Sequence, residues 1–127
     1  MLHDLRESFA RHGSRCALDY QGRSWTYGEL EAAALRCAGW LQGLGAGVGE
    51  RVILLTPQKL PFLVGHLGVL FSGAAPLPLN PRFTREELRY FLADSGARVV
   101  IAGAEQRRLV EQLVAEPVIT VAVGVDE

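Results

Sequence analysis

The sequence predicts an α/β fold, in which an N-terminal hairpin is followed by alternating strands and helices that build a mainly parallel sheet flanked by helices. Three observations carry this reading. Short apolar runs alternate with helix-like stretches of ten to fifteen residues. Two stretches, Thr26-Tyr-Gly-Glu29 and Thr84-Arg-Glu-Glu87, have the spacing of a helix-opening capping box. The apolar runs are short and β-branched, as expected of strands buried on both faces.

The first residues, MLHDLRESFARHG, place Leu2, Leu5 and Phe9 on one side of a short amphipathic helix. CALDY, then Gln21-Gly22, then RSWTY reads as a hairpin, with Gly22 supplying the positive φ of a tight turn. The helix opened by Thr26 carries an apolar stripe of Tyr27, Leu30, Ala34, Cys37, Leu41 and Leu44, and the glycines between Gly43 and Gly49 stop it. Arg51 to Thr56 is a buried strand. Pro57 and Pro61 delay the next helix, expected over Pro61–Ser72 and apolar nearly all round, so that it must be buried or face another domain. Ala75 to Leu79 is a strand. Leu88, Phe91, Leu92 and Ser95 line the helix after Thr84, which Gly96 closes, and Asp94 is expected to pair with Arg98. Arg98 to Ala102 is a strand, Glu105 to Val114 a helix with Leu109 and Leu113 inward, and Val118 to Val123 a last strand.

With 127 residues, 49 % of them hydrophobic and 21 % charged, the chain suits one packed domain. A net charge of −1 argues against a nucleic-acid binder. No apolar stretch is long enough for a membrane span. Cys16 and Cys37 lack metal-type spacing and read as small core residues of a reduced, cytoplasmic protein. Trp25 and Trp40 read as core aromatics, and His66 as a packed or edge residue. No Ser/His/Asp spacing supports a nucleophilic triad.

Trp25-Thr-Tyr-Gly-Glu-Leu30, Gly49-Glu-Arg-Val-Ile-Leu-Leu55, Gly68 to Pro81 (GVLFSGAAPLPLNP) and Thr84 to Ile101, in this order, resemble conserved blocks of the adenylate-forming (AMP-binding) enzymes. That superfamily contains acyl-CoA and aryl-CoA synthetases, firefly luciferase and the adenylation domains of peptide synthetases. Asn80-Pro81-Arg82-Phe83-Thr84 resembles the acyl-CoA synthetase, or fatty-acid CoA ligase, branch. Leu54-Leu-Thr-Pro-Gln58 resembles the fatty acyl-AMP ligases, which leaves a carrier-protein acceptor open.

The resemblance implies a first subdomain of a larger synthetase that couples a carboxylate to ATP with Mg²⁺, forms an acyl-adenylate and passes the acyl group to CoA. It also implies that the phosphate loop, the adenine-binding motifs and the C-terminal domain lie outside residues 1–127. The only lysine is Lys59. No cofactor is therefore expected within this stretch, no catalytic residue and no metal ligand, and the chain alone is expected to be inactive. By the same resemblance, Arg82, Arg107 and Arg108 are the candidate CoA-binding residues, since a guanidinium fork suits phosphate. The expected partners are the remainder of the parent enzyme, a small-molecule carboxylate and CoA. Self-association through the uncovered apolar helix is a further expectation. A rival of another class is a stand-alone α/β interaction module without catalysis.

Overall fold

The computed structural model describes residues 2–114 and 119–122. Helix α1 (Leu2–Arg11) precedes the hairpin β1 (Cys16–Tyr20) and β2 (Arg23–Thr26), followed by α2 (Tyr27–Gly43). Then come β3 (Arg51–Leu55), α3 (Lys59–Ser72), β4 (Ala75–Pro78), α4 (Arg85–Ser95), β5 (Val99–Ala102), α5 (Ala104–Leu113) and β6 (Ile119–Ala122). The expected alternation is present. Ends move by a residue or two, and Val118 and Val123, expected in the last strand, lie outside the described residues.

The hairpin is antiparallel, and its turn has positive φ at both Gln21 (52°) and Gly22 (79°). Two left-handed residues match the right-handed twist of the strands they join, so Gln21 shares the role expected of Gly22 alone. Both capping boxes form. Thr26 Oγ1 accepts from Glu29 N and Glu29 Oε1 accepts from Thr26 N; Thr84 and Glu87 exchange the same pair of bonds. Helix α4 ends at Gly96 in the left-handed region, φ 68°.

Strands β3 to β6 form one parallel sheet in the order β4-β3-β5-β6. Successive strand residues face opposite sides. Val52, Leu54, Val99 and Ile101 pack with Leu41 of α2 and Val69 of α3. Ile53, Leu55, Val100 and Ala102 pack with Leu88 and Leu92 of α4 and Val110 of α5. Helix α3 thus covers one face and α4 with α5 the other, the arrangement that right-handed crossovers give when the chain leaves β3 in one direction and returns on its other side. A third cluster joins Phe9, Trp25 and Leu30 to Leu60, Val64 and Leu67, clamping α1 and the hairpin onto α2 and α3.

Several expectations are corrected. Helix α3 begins at Lys59, two residues early, because Pro61 sits in its first turn, where the missing N–H has no intrahelical partner to lose. Much of its apolar surface packs on α2 and the sheet, while Phe62, Leu63, Leu70 and Phe71 are half-buried; the exposed large hydrophobic residues among those described are Val48 and Tyr90, neither on α3. Cys16 is exposed, at the start of an edge strand of the hairpin, and Cys37 is half-buried; both are free thiols. Trp25 is buried, whereas Trp40 is half-buried. Arg98 pairs with Glu50 at 3.0 Å and not with Asp94, because Glu50 stands next to the start of the neighbouring strand β3.

Candidate functional site at the carboxyl edge of the sheet

All four strands point the same way, so the segments leaving them gather along one edge. Strand β3 continues into Thr56-Pro57-Gln58, β4 into residues 79–84, and β5 into Gly103. Strands β3 and β5 are neighbours, yet α3 leaves toward one face and α5 toward the other. Between two such strands the connections diverge and leave a crevice, the place where open α/β sheets collect ligands.

The crevice floor is tightly built. Gly103 N donates to Leu55 O at 3.3 Å, stitching the end of β5 to the end of β3. Buried Thr56 accepts a hydrogen bond from Gln58 N at 3.4 Å through its hydroxyl. A Cβ at position 103 would lie 2.6 Å from Gln106 Oε1 and 3.6 Å from both Pro57 Cδ and Thr56 Oγ1, so only glycine fits without displacing Gln106. Neither α3 nor α5 receives a side-chain hydrogen bond at its N-cap, Gln58 or Gly103. Helix α3 has no acidic residue in its first turn, whereas α5 carries Glu105 there, which offsets the partial positive charge of its start.

The predicted arginines lie on the same edge but on different loops. Arg82 belongs to a turn fixed by Asn80, whose Oδ1 accepts from Arg82 N at 2.9 Å and whose carbonyl accepts from Phe83 N at 3.0 Å. The Phe83 ring stacks on Phe91 with centroids 5.0 Å apart, anchoring the turn to α4 and leaving Arg82 exposed. Arg107 and Arg108 lie in the first turns of α5. Arg107 pairs with Glu111 at 3.0 Å, whereas Arg108 is exposed. Since β3 separates β4 from β5, the Arg82 turn and the α5 start stand two strand spacings apart, about 10 Å. The structure brings these guanidinium groups to one side of the molecule without joining them into one cluster.

Thr56, Gly103 and Gln106 were not singled out from sequence. The signal was present in Gly103, a glycine directly between a strand and a helix, and in Gln106, three residues into that helix, where a side chain can fold back over the start. Among the described residues, neither titratable group with a resolved shift belongs to this edge. The Glu29 carboxyl is lowered by the Thr26 backbone N–H and then by Arg23, and burial pushes the Cys37 thiol up to about 11. Among the described residues no group of three or more side chains could hold a metal ion. No described helix is long and apolar enough to cross a membrane.

A parallel sheet covered on both faces, with its strand ends and a divergent crevice on one edge, defines a doubly wound α/β subdomain. The chain belongs to the AMP-binding enzyme family, which it matches over residues 5–127. It is 43 % identical over 101 residues to surfactin synthase subunit 1 of Bacillus subtilis, covering 79 % of this chain and 3 % of that protein. It is 37 % identical over 91 residues to the long-chain-fatty-acid–CoA ligase FadD13 of Mycobacterium tuberculosis, covering 72 % of this chain and 18 % of that one. Its structure resembles a benzoate CoA ligase from Burkholderia xenovorans with a TM-score of 0.87 at 29 % identity, over 98 % of this chain and 26 % of that one. The chain thus spans less than a fifth of the length of these curated relatives. The expected first part of an adenylate-forming enzyme is borne out. The preference for the CoA branch is not decided, since a synthase subunit and CoA ligases match side by side.

Proposed function

We propose that residues 1–127 form the opening subdomain of an ATP- and Mg²⁺-dependent acyl-CoA synthetase, an acid–thiol ligase acting in the cytoplasm. The supporting observation is the likeness to CoA ligases in both sequence and structure, over most of this chain. The residues here do not fit a triphosphate or its metal. Lys59 is the single lysine, and the described residues offer no cluster of metal ligands. No step of adenylation is assigned to them, and the 127-residue chain by itself is inactive. A pyrophosphate-release assay across short, long and aromatic acids tests this: background rates are expected, and turnover with any carboxylate refutes it.

For the second half-reaction, Arg82, Arg107 and Arg108 at the carboxyl edge are proposed to meet the phosphates of CoA, each through a forked pair of N–H donors. In the whole parent enzyme, Arg107→Ala with Arg108→Ala is expected to raise KM for CoA on the order of a hundredfold, the worth of two charge-assisted contacts. Formation of the acyl-adenylate should be unaffected. An unchanged KM removes the assignment. A second reading, in which a carrier-bound thiol replaces CoA, draws on the higher identity to surfactin synthase subunit 1. Supplying the parent enzyme with CoA or with a phosphopantetheinylated carrier protein separates the two. Activity with neither thiol and no adenylation would favour an interaction module.

A further inference from the structure

Strand β4 is an edge of the parallel sheet, hydrogen-bonded to β3 alone among the described residues. Its residues are Ala75-Pro76-Leu77-Pro78. Ala75 N donates to Glu50 O and Leu79 N to Leu54 O, both at 2.9 Å. In a parallel ladder the inward-bonding residues alternate, so positions 75, 77 and 79 face β3 while 76 and 78 face away. Both outward positions are proline, which has no N–H. The outer rim of β4 therefore offers two carbonyl oxygens and no donor.

We infer that Pro76 and Pro78 seal this edge against strand addition, above all against a second copy of this chain. Two β4 rims laid side by side would oppose four carbonyl oxygens with no N–H between them. Each oxygen would lose its water and gain no bond in exchange. A rim with ordinary residues would be a template for edge-to-edge pairing. The opposite edge among the described residues differs: β6, Ile119–Ala122, contains no proline, so each of its outward residues carries both a donor and an acceptor. Growth of this sheet by another strand is thereby directed to β6. Both prolines are compatible with the strand because their nitrogens lie on the side where no ladder bond exists.

Pro76→Thr with Pro78→Thr restores two outward donors per copy in a residue suited to strands. Sedimentation velocity over a concentration series on the 127-residue chain should show the double variant associating at a concentration at least tenfold below that of the wild type. Far-UV circular dichroism checks that it folds. Pro78→Thr alone, at the exposed end of the strand, should shift association in the same direction by a smaller factor. A folded variant that associates no more readily than the wild type overturns the inference. The wild type supplies a test free of any folding risk. Isotope-edited infrared bands of the Pro76 and Pro78 carbonyls should remain at the water-bonded frequency as concentration rises. Movement to the strand-bonded frequency overturns the inference by itself.

Discussion

Helices α3 and α4 follow adjacent connections of the same sheet and are held in opposite ways. Helix α3 buries Leu60, Pro61, Val64, Gly65, Leu67, Gly68, Val69 and Ser72 and has no side-chain cap. Helix α4 buries only Leu88 and Leu92 and begins with a complete capping box. A helix wedged between another helix and a sheet gains enough from burial to leave its first N–H groups free. A helix that buries as little as α4 gains relatively more from a start satisfied by its own side chains. The free helix starts, of α3 and α5, are also the two that open onto the crevice between β3 and β5. For this pair capping and packing are alternatives, whereas α2 has both a capping box and five buried residues, and α5 has no side-chain cap and buries Val110.

The largest test attacks the packing side. A Cβ on Gly68 would stand 2.6 Å from Cys37 Sγ and 3.2 Å from the Ala34 carbonyl, because α2 and α3 meet backbone to side chain at that point. Gly68→Val should cost about 3 kcal/mol, read as a lowered urea midpoint. Gly39 of the same helix pair has nothing within 4 Å, so Gly39→Ala should stabilise by roughly 0.5–1 kcal/mol through helix propensity. Equal effects of the two substitutions would show that α3 is not locked by close approach. The next test attacks the capping side. Thr84→Ala should cost about 1 kcal/mol by stranding the Glu87 N–H, and Thr26→Ala a similar amount. Gln58→Ala, at the start of α3, should change the midpoint hardly at all, since Gln58 makes no capping bond. A loss at Gln58 matching that at Thr84 would dissolve the contrast.

The same contrast explains what could be read from the sequence. Capping boxes are local, so Thr26/Glu29 and Thr84/Glu87 were legible in four residues each, and so was the left-handed end at Gly96. The strands β3 and β5 were legible because burial on both faces leaves no room for polar residues. The start of α3 is not, because it has no cap to mark it and Pro61 resembles a boundary, although a first-turn proline is harmless. Cys16 was misplaced in the core because apolar neighbours in sequence do not say which face of a hairpin a side chain joins. Glu50, not Asp94, pairs with Arg98 because β3 and β5 are neighbours, a fact of sheet order that no local pattern carries. At the candidate site the arginines were legible as residue types. The crevice of Thr56, Gly103 and Gln106 was not, since it exists only where two crossovers diverge.

The smallest effect concerns charge. Glu29 closes the capping box of α2 and also pairs with Arg23 at 2.8 Å, while the Arg23 guanidinium lies 3.9 Å from the Trp25 ring centroid. The Thr26 N–H, followed by Arg23, lowers the Glu29 carboxyl below its ordinary 4.5. A depressed acid stabilises the fold in its charged form. Its contribution is complete above the unfolded value of 4.5 and disappears as the pH falls through the lower folded value. Glu29→Gln keeps an acceptor for the Thr26 N–H but removes the titration. Between neutral pH and about pH 5 the variant should therefore be slightly less stable than the wild type, by a constant margin that added salt shrinks. Below the ordinary glutamate value the two urea midpoints should converge. A margin that persisted undiminished into the acid range would assign the role of Glu29 to its shape, leaving packing and neutral hydrogen bonds to hold α2 as packing holds α3.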